Sequence, residues 1–424
     1  MQSITRSHEG TKARSLACAE IMPKRYKDLF DQIVLLENLF AAARKAMRGK
    51  RGKTPAAACF ADLEKVVVDL RDELVSGSWR PGDYYYFTIT DPKEREVAAA
   101  PFRDRIVHHA LVRVLEALID PRFIEDSFAC RKGKGTHAAM ARAQQFTKRY
   151  RYCLKCDIQK YFPSMDHVLL RAQIERVIAD PQVLEVVDHI LASHVDAVEQ
   201  EWPSAEDLLH VVERPRGLPI GNLTSQFFAN IYLHPLDLFV KHDLRVKGYV
   251  RYVDDFLLFG DDRAELKAQG RAVREYVQSL RLRMHPDKYR FGPTECGVDF
   301  VGFVMYPDGR VRMRDANVRR FERRFKQQAW TVRRGEMELA DLQVRTRCWI
   351  AHASHAQSYG LRKDLFKDIE LWGHREMNNR GLRGGSFNNN DTNLQSSNRN
   401  NNNPTNENNN IGSRVSSLRK AAPA

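Results

Sequence analysis

Apolar residues recur every three or four positions from residue 24 to residue 75, which predicts two amphipathic helices. The repeat begins with Tyr26, Phe30, Ile33, Leu36 and Phe40. A basic, glycine-containing loop, Arg48–Lys53, separates the two helices, and Ser76, Gly77 and Ser78 form a turn that ends the second. Farther along, Ile106–Leu118 has the apolar spacing of a buried helix.

Short apolar runs in the middle of the chain predict strands. Tyr152–Cys156 and Tyr249–Val253 each end directly on an aspartate, and Phe256–Phe259 follows the second of these runs. This order places Asp254 and Asp255 at a hairpin turn. Together with the aromatic and β-branched residues 84–90, which favour a further strand, the pattern predicts an α+β protein.

Beyond residue 305 the pattern changes twice. Residues 316–372 are helical and basic, with Val318, Phe321 and Phe325 as one apolar stripe. From residue 376 onward the composition is polar, and 13 of the 23 residues from Asn388 to Asn410 are Asn. Because such a segment cannot bury a core of its own, we expect a disordered tail over 376–424.

The net charge of +14 gives the molecule a positive field that favours a polyanionic partner such as nucleic acid, although a solvated basic surface would have the same charge. Seven scattered cysteines indicate reduced thiols and a cytoplasmic protein rather than a disulfide framework. Cys153 and Cys156 point to opposite faces of a predicted strand. Cys348, His352 and His355 would share one helix face, but no fourth zinc ligand is evident nearby.

The sequence contains no apolar stretch long enough to span a bilayer. Residues 1–21 lack the apolar core of a signal peptide and lack a helical period. We therefore interpret them as a non-native or disordered extension, with Met22 as the expected start of translation.

Carboxylates at strand ends suggest metal-dependent chemistry. Nucleotidyl transfer uses two divalent cations about 4 Å apart, which are held by hard oxygen ligands. Asp157 ends one predicted strand, and Asp254 with Asp255 lies at a hairpin tip. The fold can bring all three to one edge of a sheet.

The residues around these aspartates resemble the motifs of reverse transcriptases. Tyr252–Asp255 matches the YxDD box, and Asp157–Phe162 matches the first catalytic-aspartate motif. The resemblance runs from Arg95 to Phe303 with the motifs in the family's order. The further motifs are Arg103–Val107, Cys130–Gly135, Gly217–Gln226, His285–Lys288 and Val301–Phe303.

The resemblance implies a right-hand polymerase fold with an antiparallel palm and a helical thumb. It divides the chain into N-terminal helices and fingers (22–150), a palm (151–305, with a fingers insertion around 170–215) and a thumb (306–375). It also implies that Asp157, Asp254, the assisting Asp255 and the backbone carbonyl of Ile158 hold two Mg²⁺ ions. Template RNA, a cDNA primer or product and dNTPs are the implied partners.

The same resemblance implies roles in binding the incoming nucleotide. Phe162 falls at the steric-gate position, where an aromatic ring excludes a ribose 2′-hydroxyl. Arg95, Arg131, Lys132 and Lys134 match the basic region that grips the triphosphate, and guanidinium and ammonium groups suit that task. Lys288 matches a lysine that protonates the departing pyrophosphate, although an ordinary surface lysine fits equally well. The turn Val301, Gly302 and Phe303 matches the primer grip.

The segment Leu218–Gln226 resembles reverse transcriptases of diversity-generating retroelements, because Ile220 replaces the usual Gln of the second palm motif. The resemblance implies contact of Ile220 with the nascent base pair and lowered fidelity, whereas simple packing remains the alternative. The tail from Arg383 to Gly412 resembles the variable segment of lectin-like target proteins, except at Phe387. Asn codons begin with two adenines, so this tail fits an adenine-rich template repeat.

This subfamily implies adenine-directed mutagenesis of a target gene and an accessory partner, a basic helical pentamer that helps to bind template RNA. No ribonuclease H or zinc-rich endonuclease segment is predicted after the thumb. Two alternatives stay open at this stage. One is a reverse transcriptase of ordinary fidelity, retron-like or group II intron-like, and the other is a nucleic-acid-binding scaffold without catalysis.

Overall fold

The computed structural model of the chain describes residues 25–49, 59, 61–90, 94–196 and 214–366. The predictions for residues 1–21 and for the tail after residue 376 lie outside these residues. So do parts of the basic loop Arg48–Lys53 and of the predicted fingers insertion.

Helices and short strands are interspersed along the described residues. The helices are α1 Phe30–Val34, α2 Leu36–Met47, α3 Leu63–Val75, α4 Phe102–Ile119, α5 Thr136–Arg149, α6 Tyr161–Ser164, α7 His167–Glu175, α8 Pro181–Ala192, α9 Leu223–Leu238, α10 Arg263–Ser279, α11 Asp315–Arg333, α12 Leu339–Ala353 and α13 Tyr359–Phe366. The strands are β1 Tyr85–Ile89, β2 Arg95–Ala99, β3 Tyr152–Asp157, β4 Gly248–Tyr252, β5 Asp255–Gly260, β6 Arg290–Pro293, β7 Val298–Phe300, β8 Phe303–Met305 and β9 Val311–Met313. Mixed helices and antiparallel sheets confirm the α+β prediction.

One compact unit contains the residues up to Glu125 together with Ile158–Leu244 and Ala272–His285. Its core forms around α4, against which α2 and α9 pack. Ile106 and Leu111 of α4 are fully buried, which confirms the buried helix predicted over Ile106–Leu118. The antiparallel hairpin β1–β2 also belongs to this unit.

The second compact unit contains Asp126–Asp157, Arg245–Arg271 and the residues from Pro286 onward. It has a four-stranded antiparallel sheet in the order β4-β5-β3-β6 and a three-stranded sheet in the order β7-β8-β9. Helix α5 buries its apolar face, including Ala143 and Phe146, in a core shared with Phe259 of β5 and Phe300 of β7. Because strands on both sides of the aspartates are buried, their ends are held in a fixed register.

The helices α11 to α13 have an apolar core of their own, to which Phe321 and Phe325 of the predicted stripe contribute, whereas Val318 packs against the core around α5. Phe325 is buried with Ile350 and Phe366. The Phe321 ring stacks on the Trp349 ring with 3.9 Å between centroids. Within the described residues, no helix is both long enough and apolar enough to cross a membrane.

Candidate active site

Strand pairing brings Asp157 and Asp255 opposite each other. Asp157 is the last residue of β3 and Asp255 the first of β5, and the antiparallel register pairs the two directly. In the same register Lys155 lies opposite Leu257, and Cys156 lies opposite Phe256, which is fully buried. Side chains of directly opposed residues lie on one face of a sheet. The carboxylates of Asp157 and Asp255 therefore lie on the same face at the end of the sheet.

A two-residue turn carries Asp254. Strand β4 ends at Tyr252 and β5 begins at Asp255, so Val253 and Asp254 alone connect them. Val253 has φ +57°, a conformation that is rare for a β-branched residue. The buried Arg251 donates from Nη1 to the Val253 carbonyl at 3.0 Å, and the Thr136 and Tyr252 hydroxyls are 3.0 Å apart. These contacts hold the turn in its strained form.

The carboxyl group of Asp255 lies in an unusual environment. Its pKa is raised to about 7, chiefly by burial; Lys155 opposes the rise, and the charges of Asp157, Asp254 and Asp299 contribute to it. One carboxyl oxygen, Oδ1, is buried without a hydrogen-bond partner in the described part of the chain. A buried, unpartnered carboxyl oxygen is costly unless a cation satisfies it.

Lys288 pairs with Asp157. Its Nζ lies 2.7 Å from Oδ1 and 2.8 Å from Oδ2 of the Asp157 carboxylate. The lysine ends the short helical turn Pro286–Lys288, which precedes β6, the neighbour of β3 in the sheet. The structure thus places Lys288 of the predicted motif His285–Lys288 directly against the Asp157 carboxylate.

The donor set fits a hard divalent cation. Carboxylate oxygens are the ligands that Mg²⁺ prefers, and the orphaned Oδ1 of Asp255 lies on the same sheet face as Asp157. In the residues that the structure describes, no three His, Cys, Asp or Glu side chains are gathered tightly enough to ligate one metal ion. Neither the three aspartates Asp157, Asp254 and Asp255 nor the set Cys348, His352 and His355 forms such a group in the described part of the chain.

His352 and His355 belong instead to a histidine cluster that includes His137 of α5. The His137 and His355 rings stack with 3.4 Å between centroids, and His137 Nε2 is 3.3 Å from His352 Nδ1. The pKa of His137 is lowered to about 4, chiefly by burial and also by the neighbouring His355 and His352. Phe303 contacts His352 with 4.8 Å between ring centroids, so this predicted primer-grip residue is part of the core.

In the other unit, the structure connects the predicted steric gate to the segment around Ile220. Phe162 lies in α6, and its carbonyl accepts a hydrogen bond from the Leu218 amide at 2.9 Å. Both Phe162 and Ile220 are partly exposed. The Ile220 carbonyl accepts a hydrogen bond from Ala98 of β2 at 3.0 Å.

Asn222 is a residue that sequence analysis missed. Asn222 is 3% exposed. Its Nδ2 donates to the Ala98 carbonyl of β2 at 3.0 Å, and its Oδ1 accepts from the Ala100 amide, just after β2, at 3.3 Å. Asn222 precedes α9 as its N-cap, yet its side chain makes no capping bond. Gly221 has φ +117°, and a Cβ there would lie 2.8 Å from Val97. The turn before α9 is therefore tied to the strand that begins with Arg95.

The predicted triphosphate-binding residues lie in two places. Arg95 is exposed on β2. Arg131, Lys132 and Lys134 lie on the loop that precedes α5, in the unit that also contains the aspartates. Within this loop Arg131 donates to the Ser127 carbonyl at 2.9 Å, Lys134 lies 5.1 Å above the Phe128 ring, and Lys132 is exposed.

The predicted primer grip forms the turn between β7 and β8. Val301 has φ +43° and Gly302 has φ +92°. The Gly302 carbonyl accepts a hydrogen bond from the Arg314 amide at 2.9 Å. A Cβ at position 302 would lie 2.9 Å from Asn317 Nδ2, so glycine is needed for close packing as well as for conformation.

Comparison with known proteins adds an independent finding. The sequence profile described as reverse transcriptase (RNA-dependent DNA polymerase) matches residues 90–305. Protein YkfC of Escherichia coli (strain K12) is 26% identical over 329 residues, which are 66% of this chain and 82% of that protein. The group II intron-encoded protein LtrA of Lactococcus lactis subsp. cremoris is 24% identical over 210 residues, 49% of this chain and 33% of LtrA. An uncharacterized 91 kDa protein in the cob intron of Schizosaccharomyces pombe is 23% identical over 223 residues, 51% of this chain and 26% of that protein.

Proposed function

Because the chain belongs to the reverse transcriptase (RNA-dependent DNA polymerase) family, we propose that Asp157, Asp254 and Asp255 hold two Mg²⁺ ions for nucleotidyl transfer. The family activity is RNA-directed DNA synthesis, with template RNA and dNTPs as substrates and DNA as product. The observation that carries the proposal is the direct register of Asp157 with Asp255, whose Oδ1 is buried and unpartnered. The carbonyl of Ile158, next to Asp157, is the fourth proposed ligand.

When bound, the cations would lower the pKa of the primer hydroxyl and neutralise the triphosphate. The protein's own task is to hold hard oxygen donors at fixed positions, which the paired strand ends and the strained turn at Val253 do. Lys288, whose ammonium contacts both oxygens of Asp157, is proposed to donate a proton to the departing pyrophosphate.

The residues in the nucleotide-facing positions favour deoxynucleotides. The Phe162 ring is proposed to fill the space that a ribose 2′-hydroxyl would need. The basic side chains are proposed to bind the triphosphate by charge-assisted hydrogen bonds. These side chains are Arg95, Arg131, Lys132 and Lys134. The backbone of the turn Val301, Gly302 and Phe303 is proposed to contact the primer.

We further propose that this enzyme copies a template-repeat RNA with errors at adenines and so diversifies a target gene. The segment Leu218–Gln226 with Ile220 at the Gln position supports this, as does the Asn-rich sequence of the tail. A branched alkyl group cannot hydrogen-bond to a nascent base pair as an amide would. The enzyme would therefore discriminate less well between correct and incorrect base pairs. An accessory variability protein, a basic helical pentamer, is the proposed partner in RNA binding.

Primer extension on a defined RNA template with Mg²⁺ and four dNTPs tests both the proposed catalysis and the proposed errors at adenines. Wild type and Asp254→Ala are compared, each with and without the accessory protein, and the products are sequenced. We expect extension that Asp254→Ala abolishes and errors concentrated opposite template adenines. Accurate synthesis would leave a reverse transcriptase of ordinary fidelity. Absence of synthesis under all conditions would refute the catalytic proposal.

Ile220→Gln isolates the fidelity argument. If the branched side chain weakens checking, this variant should make fewer errors opposite adenine at an unchanged extension rate. If Ile220 simply packs, the error spectrum will not change. Ile220→Val is the matched control, because it keeps a branched alkyl group.

A further inference from the structure

Lys155 connects the catalytic carboxylates to a second group of charges. It lies on β3 two residues before Asp157, so both side chains point to the same face of the sheet. Its Nζ lies 3.6 Å from Asp255 Oδ2 and donates to the main-chain carbonyl of Asp299 at 2.7 Å. The same Nζ is 3.8 Å from the Asp299 carboxylate.

Asp299 in turn binds Arg314. The Arg314 Nε donates to Asp299 Oδ1 at 2.8 Å, and its Nη2 contacts the same oxygen. Arg314 is the N-cap residue of α11, and its amide donates to the Gly302 carbonyl at 2.9 Å. One arginine therefore binds both Asp299, at the middle of β7, and the turn that follows this strand.

The Asp299 carboxylate thus pairs with two basic side chains. Lys155 lies beside Asp255, and Arg314 lies beside the turn at Gly302. The Lys155 side chain is 17% exposed, so its ammonium depends on protein partners rather than on water. Without the Asp299 carboxylate, Asp255 would be the one carboxylate left within 4 Å of the Lys155 ammonium among the described residues. Lys155 would then compete more strongly with any divalent cation for that oxygen.

We propose that Asp299 is a positioning residue, which shares Lys155 with Asp255 and fixes Arg314 against the turn at Gly302. As a consequence, the Asp255 carboxylate and the turn at Gly302 keep fixed positions relative to each other. The inference rests on the proposed function of Asp255 and of that turn. It goes further by assigning a role to the residues Lys155, Asp299 and Arg314, which none of the polymerase motifs includes.

Asp299→Asn tests this role, because it removes the charge and keeps the size. Loss of a charge-assisted hydrogen bond in this setting predicts a fall in kcat of about tenfold, with the KM for dNTP changed less than about twofold. Mn²⁺ binding, followed by electron paramagnetic resonance without nucleic acid or dNTP, should weaken at least about threefold because Lys155 competes for Asp255. Fluorescence of 2-aminopurine at the primer 3′ end should report a less ordered terminus.

Asp308→Asn is the matched control. Asp308 also pairs with an arginine, Arg310, and also lies beside the three-stranded sheet, but its ion pair is exposed. This control should match wild type in all three measurements. Asp299→Glu restores the charge and should recover part of kcat and of Mn²⁺ binding, which a fold defect would not allow.

A double-mutant cycle with Arg314→Gln completes the test. Residues that act as one unit are non-additive, so the double variant should be no slower than the slower single variant. Unchanged Mn²⁺ binding and an unchanged kcat in Asp299→Asn would overturn the inference, as would strict additivity. Since Mn²⁺ binding needs no polymerase activity, failure of this inference is distinguishable from failure of the proposed function, in which wild type itself would not extend a primer.

Discussion

Lys288 places its ammonium on both carboxylate oxygens of Asp157, at 2.7 and 2.8 Å. A positive charge thus lies at the position where a divalent cation would bind this carboxylate. Cation binding must displace the ammonium or share the oxygens with it. The lysine is then free to contact the phosphates, so one residue can stabilise the carboxylate before binding and act on the leaving group afterwards.

Lys288→Met should therefore strengthen Mg²⁺ binding and slow the chemical step. The Mg²⁺ concentration for half-maximal extension should fall, because competition for Asp157 is removed. The single-turnover rate should fall by about a hundredfold or more, because general acids typically contribute rate factors of about 10² to 10⁴. Rapid-quench primer extension over a range of Mg²⁺ concentrations measures both. Lys267→Met, at an exposed position on α10, is the control, and a Lys288 variant that behaved like it would identify an ordinary surface lysine.

Phe162→Val should admit ribonucleotides. The smaller side chain leaves space for a 2′-hydroxyl, and pockets discriminate poorly against a hydroxyl once there is room for it. The ratio of kcat/KM for dNTP to that for rNTP should fall by about a hundredfold, the size of discrimination that such a contact gives. Phe162→Tyr keeps the ring and should keep the selectivity. Retained selectivity in Phe162→Val would show that another residue acts as the gate.

Asn222→Ala should raise the KM for dNTP. The variant loses both hydrogen bonds to β2 and leaves a buried carbonyl and amide unsatisfied, which costs about 1–3 kcal/mol of stability for each group. Asn38→Ala is a matched control, because Asn38 also bridges buried backbone by donating to the Ile33 and Ala110 carbonyls. Both variants should lose stability in thermal unfolding, but the KM change should be confined to Asn222→Ala. If the KM for dNTP were the same in Asn222→Ala, Asn38→Ala and wild type, the role of Asn222 would be limited to folding.

The histidine cluster predicts a loss of stability on acidification. The pKa of His137 is lowered from 6.5 to about 4 in the folded protein, so the unfolded chain binds more protons between these values. Stability is then fully present above pH 6.5 and falls as the pH drops towards 4. The burial that lowers the pKa values of His352 and His355 acts in the same direction. The Tm should therefore fall between pH 7 and pH 4.5, and His137→Phe should flatten this dependence; an unchanged slope would contradict the assignment.

Local sequence signals predicted the parts of the site that depend on local structure. Apolar runs that end on Asp157 and precede Asp254 identified the two strand ends, and the period of Ile106–Leu118 identified α4. The partners of Lys155 and Asn222 could not be predicted, because each contact joins residues more than 100 positions apart in sequence. His137 joins His352 across 215 positions, and no periodicity encodes such a pairing.

Val253→Gly should separate strain from function at the catalytic turn. Left-handed φ costs a β-branched residue about 1–2 kcal/mol, and glycine removes this cost while losing about 0.5–1 kcal/mol to chain entropy. The free energy of unfolding should therefore change by less than about 1 kcal/mol, whereas Val250→Gly, at a fully buried position of β4, should destabilise by about 2 kcal/mol or more. Extension by Val253→Gly should nevertheless fall, because a freer backbone holds Asp254 and Asp255 less firmly. Wild-type extension rates in this variant would show that the strained turn is dispensable for catalysis, and a large loss of stability would show that Val253 contributes packing rather than strain.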